Sequence, residues 1–497
     1  MKFYITTPIY YVNASPHIGH CYTTIAADCL ARYHKMTGKD VYFLTGTDEH
    51  GDKIALAAEK KGISVEQFTD EMSAMFKKMW EKLDISYSRF IRTTENQHIK
   101  TVQTVFKKLM DNNDIYLGTY SGYYCTPCEF FIPRIKIDEN NPVCPDCGRP
   151  VKIIKENSYF FRLSNYEKLL LEYLKKNPQV IQPQFRLEEV TNFISQGLND
   201  LSITRHGTVW GIQSPTPEKY SVYVWFDALL NYLTAAGYDG KNVNHYWPPD
   251  VQLIGKDILR FHAIIWPAML MALGLELPKM IFAHGWWTLG SEKISKSKGN
   301  IIDPLYIIER FGVDGFRYFL LREVPFGLDG EYSEEKFIKR FNSDLANDLG
   351  NLVNRTLNLV EKLFENTVPD VFVSSEMEHL MEEVLINVDN FISRINFSEA
   401  LVEIWKLVTE LNKILDIKKP WNSPIESARE TLSQCMSGIY LISLLIYPFI
   451  PGTSRKIQAM LNIEFKENEI TLTKKNISLI SGRKVGKREI LFKRIKT

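Results

Sequence analysis

Two histidines, His17 and His20, stand three positions apart directly after Pro16, where strand-like sequence gives way to helical spacing. Residues three apart share one face of a helix. The backbone amides at a helix start lack partners within the helix and favour an anion such as a triphosphate. The spacing therefore predicts that both imidazoles donate to phosphate oxygens, and that Gly19 lets a nucleotide approach the backbone. A structural pair, or partial metal ligands, are the alternatives.

A lysine-rich run lies far downstream, at residues 293–300, and includes Lys293, Ser295 and Lys296. Lysines on a closing loop can stabilise the charge that develops on departing pyrophosphate without binding the ground state tightly. The alternative is a solvated surface loop, because Lys and Ser are common in exposed loops. Either cluster alone leaves its alternative open.

Four cysteines form two Cys-x2-Cys pairs that are 15 residues apart in the chain. The four are Cys125, Cys128, Cys144 and Cys147. This spacing is typical of a tetrahedral zinc knuckle. Four thiolates fill every coordination position, so the pattern predicts one structural Zn2+ ion rather than a catalytic metal. Four unliganded thiols are the alternative, and both interpretations favour a reducing cytoplasm over a disulfide framework.

The strands and helices that must position these groups are indicated by an alternating sequence pattern. Residues 2–11 are strand-like, residues 17–36 have helical apolar spacing with Gly38 at the expected stop, and residues 41–44 form a second apolar run. Three later apolar runs, each followed by a loop and helical sequence, cover residues 222–225, 251–254 and 280–283. The pattern predicts an α/β fold, a doubly wound, Rossmann-like parallel sheet split by an insertion that carries the cysteines.

Composition narrows the class of protein. The chain has 497 residues, of which 45% are hydrophobic and 24% charged, so we expect several globular domains. It has neither a GxxxxGK[ST] loop nor a GxGxxG turn after the first strand, which argues against the common alternative phosphate-binding folds. Its amino terminus lacks the pattern of a secretion signal, and the apolar run 439–450 is too short to span a bilayer, so no membrane association is expected. Residues 474–497 hold nine Lys or Arg and one Glu. This basic end is consistent with a position near phosphate groups and equally with a solvated surface segment.

The histidine and lysine clusters together resemble the HIGH and KMSKS signatures of class I aminoacyl-tRNA synthetases, in the same order along the chain. Ile294 stands where that family usually has Met. Residues 5–11, 46–51, 224–228 and 255–262 are similar to segments of the methionyl enzymes. The resemblance implies activation of L-methionine with ATP and Mg2+, followed by charging of initiator and elongator tRNA(Met).

The resemblance also implies residue roles. His17, His20, Lys293 and Lys296 would be catalytic. ATP would be bound by His17, Gly19, His20, Gly255, Asp257, Lys293, Ser295 and Lys296. Methionine would be bound by Ile9, Tyr11, Asp48, Trp225, Ala228, Tyr232 and His262, with Asp48 holding the ammonium group. The CAU anticodon would be read by Asn347, Asn351, Arg355 and Trp421, which taken alone are equally consistent with a solvated helix face.

The expected domains follow from these assignments. They are a first catalytic half (1–115), a connective insertion with the zinc knuckle (116–217), a second catalytic half (218–290), a KMSKS-loop and stem-contact region (291–345) and an α-helical anticodon-binding bundle (346–497). The chain ends soon after the bundle, so a monomer is expected. Three rival interpretations remain open: another class I synthetase, a small nucleotidyltransferase, and a noncatalytic zinc-containing RNA-binding protein.

Overall fold

The structure, a computed structural model, describes residues 1–125, 130–132, 142–145, 148–207, 210–289, 292–293, 302–370, 372–464 and 480–496. Its strands are β1 (Lys2–Tyr11), β2 (Asp40–Asp48), β3 (Arg89–Arg92), β4 (Ile115–Cys125), β5 (Phe130–Ile132), β6 (Lys152–Phe161), β7 (Ile181–Gln182), β8 (Leu201–Ser202), β9 (Thr204–Arg205), β10 (Ser221–Val222), β11 (Val251–Gly255), β12 (Ile281–His284), β13 (Trp287–Leu289), β14 (Glu292–Lys293) and β15 (Gly330–Glu331).

The α-helices are α1 (Ile18–Met36), α2 (Asp52–Lys61), α3 (Val65–Lys82), α4 (Asn96–Asp111), α5 (Glu167–Lys176), α6 (Gln184–Ser195), α7 (Val224–Leu229), α8 (Asn231–Ala235), α9 (Trp266–Leu273), α10 (Pro304–Arg322), α11 (Glu334–Arg340), α12 (Asn351–Phe364), α13 (Ser375–Ser393), α14 (Phe397–Lys418), α15 (Ile425–Leu445) and α16 (Pro451–Met460). Within the described ranges, two segments are π-helical, Phe261–Ile265 and Phe341–Gly350.

A six-stranded sheet in the order β3-β2-β1-β11-β12-β7 forms the centre, and every neighbouring pair is parallel. Strand order reverses between β1 and β11. In open parallel sheets, ligands bind beyond the carboxyl ends of the strands at such a switch point. The predicted α/β parallel-sheet fold is confirmed, as are the strands expected at 2–11, 41–44, 251–254 and 280–283 and the helix expected at 17–36.

Strand β1 departs from regular pairing at its carboxyl end, where it reaches the switch point. Its register with β2 shifts between Thr6 and Ile9, which places Pro8 in the irregular stretch. Proline has no amide hydrogen to donate to a sheet ladder and is therefore tolerated at bulges.

The prediction of a strand at residues 222–225 is wrong. Only Ser221–Val222 is a strand, it pairs antiparallel with β9 outside the main sheet, and helix α7 begins at Val224. A short apolar run fits a buried helix as well as a buried strand, and here the helix prevails. Between β3 and β11 the chain also forms a four-stranded sheet, β5-β4-β6-β8, and returns strand β7 to the edge of the main sheet.

Helices α12 to α16 follow the sheet, and α14 packs between α13 and α15. One apolar face of α14 is buried, and it consists of Leu401, Ile404, Leu407, Val408, Leu411 and Leu415. Within the described part of the basic end, residues 480–496, five apolar side chains pack on the core, namely Ile480, Val485, Leu491, Phe492 and Ile495. Ile490 and the Lys and Arg side chains are exposed. No helix among the described residues is long and apolar enough to cross a bilayer.

Candidate active site

A cavity of about 700 Å³ opens at the carboxyl ends of β1, β2, β11 and β12. The start of α1 forms one side of it, and α7, α8 and the π-helical segment Phe261–Ile265 form another. The cavity therefore lies at the switch point of the sheet, where the topology favours a ligand.

The two histidines cap helix α1. His17 is the N-cap residue, and its Nδ1 accepts a hydrogen bond from the Gly19 amide at 3.1 Å, while the His17 amide donates to Nδ1 of His20 at 3.3 Å. This is a capping box in which imidazoles replace the usual hydroxyl and carboxylate. The rings stack with centroids 3.7 Å apart and an interplanar angle of 23°.

The cap fixes the protonation of both rings. A nitrogen that accepts a hydrogen bond carries no proton, so in each neutral imidazole the proton lies on Nε2. Burial, and to a smaller extent the neighbouring His17, hold the pKa of His20 well below its ordinary value. His20 is therefore neutral at physiological pH and offers one N–H donor.

On the opposite side of the cavity, aromatic rings form a wall. Trp225 on α7 stacks on Phe261, with centroids 3.7 Å apart and an interplanar angle of 8°. The Tyr232 hydroxyl lies 2.8 Å from Nε2 of His262, and Nδ1 of His262 lies 3.1 Å from the Ile258 carbonyl. Burial lowers the pKa of His262 to about 4, so the ring is neutral; Nδ1 donates to the carbonyl and Tyr232 donates to Nε2.

Asp48 ends strand β2 and is 8% exposed where it lines the cavity. The two residues that follow point into the protein. Glu49 accepts hydrogen bonds from Nε and Nη2 of Arg92 at 2.7 and 2.9 Å, and His50 contacts Asp227 at 2.7 Å. Of three successive side chains, Asp48 thus faces the cavity, whereas Glu49 and His50 bind partners inside the protein.

Gly255 and Asp257 lie at the carboxyl end of β11. A Cβ atom at Gly255 would come within 2.7 Å of Oδ1 of Asp257, so a larger residue would displace that carboxylate. The same Oδ1 accepts from the Trp286 indole at 3.1 Å. Lys256 binds Asp329 at 2.6 Å and lies 4.1 Å from the centre of the Trp286 ring. These contacts define a polar rim at this end of the cavity.

Twelve residues expected to bind ATP or methionine line this one cavity. They are Ile9, Tyr11, His17, Gly19, His20, Asp48, Trp225, Ala228, Tyr232, Gly255, Asp257 and His262. Lys293 ends strand β14, which pairs with β13, whereas Ser295 and Lys296 lie outside the described residues.

Several residues that line the cavity were missed by the sequence analysis. They include Asn13, Lys53, Arg149, Asn231, His284, Trp286 and Trp287. His284 ends β12 and the two tryptophans follow it, so the rule that ligands sit at carboxyl strand ends would have found them. Nothing in the sequence indicates that Arg149, next to the second cysteine pair, reaches the cavity.

Of the four cysteines, Cys125 and Cys144 are described, and both are buried in one small cluster with Tyr123 and Ile132. Cys128 and Cys147 lie outside the described residues. The Cys144 amide donates to the Arg149 carbonyl, and the Cys144 carbonyl accepts from the Gly148 amide, each at 2.8 Å. Gly148 has a φ of 68°, which glycine adopts without strain.

The residues expected to read an anticodon lie on the helical part of the chain. Asn347 is in the π-helical segment, Asn351 begins α12, and both are exposed. The Arg355 guanidinium lies 5.6 Å from the centre of the Trp421 ring and 2.7 Å from Asp416. Trp421 is 49% exposed. Arg355 and Trp421 thus form one surface cluster despite their separation in sequence.

The family model for "tRNA synthetases class I (M)" matches residues 3–152 and 136–357, more than half of the chain. The parallel sheet, the histidine-capped helix at its switch point and this match together define a class I aminoacyl-tRNA synthetase.

Individual relatives narrow the class further. The methionine–tRNA ligase of Caldanaerobacter subterraneus is 48% identical over 506 residues, which cover 99% of this chain and 79% of that protein. The Bacillus subtilis ligase is 44% identical over 516 residues, covering 99% and 78%. Mycobacterium tuberculosis methionyl-tRNA synthetase in complex with methionyl-adenylate matches with a TM-score of 0.92 at 39% identity, covering 99% of this chain and 100% of that one.

The chain belongs to the methionyl-tRNA synthetases. It is a methionine–tRNA ligase of class I. The enzyme activates L-methionine with ATP to methionyl-adenylate, releases pyrophosphate, and transfers the methionyl group to the 3′-terminal adenosine of tRNA(Met).

Proposed function

We propose that both substrates of the activation step meet in the cavity beyond β1 and β11, with methionine at the α7–α8 wall and the triphosphate at the start of α1. The supporting observation is that the twelve expected ligand-binding residues, which come from five separate stretches of sequence, line one cavity of about 700 Å³. A volume of that size is typical of small-molecule sites.

The methionine end has the required chemistry. The side chains of Ile9, Tyr11, Trp225, Ala228 and Tyr232 would surround the thioether, for which aromatic walls supply dispersion and sulfur contacts. His262 would orient Tyr232 through their 2.8 Å contact. The Asp48 carboxylate would bind the ammonium group by a charge-assisted hydrogen bond.

At the ATP end, the Nε2–H groups of His17 and His20 would donate to phosphate oxygens beside the positive end of α1. Gly255 would leave room for the nucleoside, and Asp257 would lie at its edge. Mg2+ would accompany ATP and offset the charge of the phosphates. Lys293, Ser295 and Lys296 would approach the departing pyrophosphate from the other side.

The first step needs no general base, because the methionine carboxylate is already ionised at neutral pH. One of its oxygens forms a bond to the α-phosphorus of ATP while the bond from that phosphorus to the bridging oxygen breaks, and pyrophosphate leaves. Positioning and charge stabilisation then provide the catalysis. In the second step a ribose hydroxyl of the terminal adenosine attacks the methionyl carbonyl, and AMP leaves.

We also propose that Cys125, Cys128, Cys144 and Cys147 bind one structural Zn2+ ion. The shared cluster of Cys125 and Cys144 supports this, as do the backbone hydrogen bonds of Cys144 with Gly148 and Arg149. Four thiolates would close the coordination sphere, so the ion would hold the loop that presents Arg149 to the cavity.

The helical region would bind the anticodon. Exposed Asn347 and Asn351 would hydrogen-bond base edges, and Trp421 would stack on a base beside the Arg355 guanidinium. The proposal also includes the five domains expected from the sequence, a monomeric state and a cytoplasmic location. The enzyme would charge both initiator and elongator tRNA.

The proposal is tested with Lys296→Ala and Asp48→Asn. We expect Lys296→Ala to lower the rate of adenylate formation by about a hundredfold or more with little change in methionine affinity. We expect Asp48→Asn to weaken methionine binding instead, because an amide replaces the carboxylate that pairs with the ammonium. Stopped-flow or exchange kinetics measure the rate of adenylate formation and the methionine affinity separately. If both variants lost rate and affinity to the same extent, the assignment would be refuted.

A further inference from the structure

A buried carboxylate lies between two imidazoles directly behind the proposed methionine site. Oδ2 of Asp227 is 2.7 Å from Nδ1 of His50, and Oδ1 is 2.7 Å from Nε2 of His98. Asp227 and His98 are fully buried and His50 is 5% exposed. These three side chains do not line the cavity, so the activation chemistry assigns them no direct role.

The hydrogen bonds have a defined direction. Burial opposes the charge of Asp227, but the two imidazoles hold its pKa below the ordinary value, so the carboxylate is ionised and can only accept. Both His50 and His98 therefore donate to it. The second nitrogen of His98, Nδ1, lies 2.9 Å from the Thr234 hydroxyl. The carboxylate thus ties together the loop after β2, helix α4 and helices α7 and α8.

Except for α4, each segment tied by this network carries or adjoins a residue of the proposed methionine site. Asp48 is two residues before His50, and Ala228 is the residue after Asp227. Tyr232 is two residues before Thr234 on α8. Successive helical residues are about 100° apart around the axis, so one side chain can face the cavity while its neighbour faces the protein interior.

We propose that Asp227 is a positioning residue for methionine. It fixes the distance between the Asp48 carboxylate, which binds the ammonium group, and the α7–α8 wall, which binds the thioether side chain. That distance sets the length of amino acid that fits the site. The proposal rests on the assignment of Asp48, Trp225 and Tyr232 to methionine given above.

Replacing the carboxylate by an amide should disturb this distance. An asparagine side chain has one acceptor oxygen and one NH2 group, which would face an imidazole N–H and could not accept from it. One of the two contacts then breaks unless that imidazole moves its proton to its other ring nitrogen, and in either case the charge that strengthens both hydrogen bonds is lost. Either the segment from Asp48 to His50 or helix α7 would shift, and a displacement of about 1 Å at a reacting group can cost about a hundredfold in rate.

The test is ATP–pyrophosphate exchange by Asp227→Asn with methionine, with the shorter S-methylcysteine and with the longer ethionine. We expect KM for methionine to rise about tenfold or more, KM for ATP to change less than about twofold, and the preference for methionine over both analogues to fall. A merely structural carboxylate would lower the melting temperature and leave the substrate preference unchanged. That result would overturn the proposal.

A matched pair at His98 tests the same contact in case Asp227→Asn does not fold. Glutamine can place its amide nitrogen near the position of Nε2, so His98→Gln keeps a donor for Asp227. Asparagine can place it near Nδ1, so His98→Asn keeps the Thr234 contact and loses Asp227. We expect only His98→Asn to reduce the preference for methionine; equal preferences in the two variants would contradict the proposal.

Two controls separate this inference from the site assignment. Asp28→Asn alters another fully buried carboxylate that is bound by two cations and lies outside the cavity lining, and should lower stability without a selective rise in KM for methionine. Trp225→Ala removes a proposed methionine contact. If Trp225→Ala leaves KM for methionine unchanged, the site assignment fails. If it raises KM while Asp227→Asn and His98→Asn do not, only the positioning role fails.

Discussion

His17 and His20 cap the same helix with the same ring atom: each uses Nδ1 to accept a backbone amide hydrogen, at 3.1 and 3.3 Å, and their rings stack 3.7 Å apart. The cap therefore uses neither of the two Nε2–H groups. Two histidines at this spacing at a helix start would combine helix capping with the proposed anion binding in one short segment.

This geometry makes the two ring nitrogens of His20 separable by mutation. His20→Gln keeps a donor near the position of Nε2 and loses the cap acceptor; His20→Asn keeps an acceptor near Nδ1 and loses the donor. We expect His20→Asn to lower kcat for ATP–pyrophosphate exchange by about a hundredfold or more, and His20→Gln to lower it less. If the asparagine variant is the more active of the two, the donor role is wrong.

The depressed pKa of His262 predicts a pH effect on stability. The folded state holds His262 neutral down to about pH 4, whereas an unfolded histidine takes up a proton near its ordinary value of about 6.5. The unfolded state thus binds more protons between these values, and stability falls as pH drops from about 6.5 to 4.

His262→Asn removes this contribution while other buried histidines remain. We expect the unfolding free energy of the variant to fall less steeply across that pH interval than that of the unchanged protein. The two slopes should differ by up to about 1.4 kcal/mol per pH unit. Urea unfolding at half-unit pH steps measures the slope. Identical slopes would show that His262 already titrates normally in the folded protein.

A buried ionic cluster joins the sheet domain to the helices after it. Asp28 on α1 binds Arg32 at 2.8 Å and Arg317 on α10 at 2.7 Å, and burial of this carboxylate is outweighed by the two cations, which lower its pKa to about 2. Arg317 also donates to the Phe449 carbonyl at 2.8 Å.

Arg317→Met should cost about 3 to 5 kcal/mol of unfolding free energy, because it leaves buried acceptors and a less compensated carboxylate. Arg310→Met, on the same helix but at an exposed ion pair with Glu334, serves as the control and should have little effect. Urea midpoints compare the two. Equal midpoints would mean that the buried cluster contributes nothing beyond a surface pair.

Metal content tests the proposed knuckle. We expect one zinc per purified chain by mass spectrometry, loss of that zinc in Cys144→Ser, and a lower melting temperature in the same variant, since structural zinc contributes folding energy. Cys435→Ser alters a buried thiol on α15 and should keep its zinc. Unchanged zinc content in Cys144→Ser would remove this residue from the ligand set.

The exposed aromatic cluster predicts an effect on tRNA alone. Trp421→Ala should raise KM for tRNA(Met) in aminoacylation by about tenfold or more, because one stacked base contributes about 1 to 3 kcal/mol. Ile417→Ala, at a nearby side chain that is 65% exposed, is the matched control. Similar KM values for the two variants would argue against stacking on Trp421.

Local sequence signals predicted the elements that carry the histidines. The strand before His17, the helix after it and the stop near Gly38 follow from apolar period, proline and glycine, which act over a few residues. Residues 222–225 were mistaken for a strand because four apolar residues fit either state. The π-helical turn that presents His262 leaves no comparable mark in the sequence.

Contacts between distant segments were beyond such signals. The family resemblance assigned Asp48 and Tyr232 to methionine, but nothing in the sequence indicated that Asp227 binds His50 and His98. Strand β7 could not be predicted either, because its two residues are placed at the edge of the main sheet by pairing with β12, which is far away in sequence.

The most direct test of the account is a crystal structure of this protein with a non-hydrolysable methionyl-adenylate analogue. We expect the thioether between Trp225 and Tyr232, the ammonium group at Asp48, and the phosphate-like group within about 3 Å of Nε2 of His17 or His20. An analogue bound elsewhere, or bound here with its phosphate-like group turned away from α1, would contradict the central claim that one cavity holds both substrates.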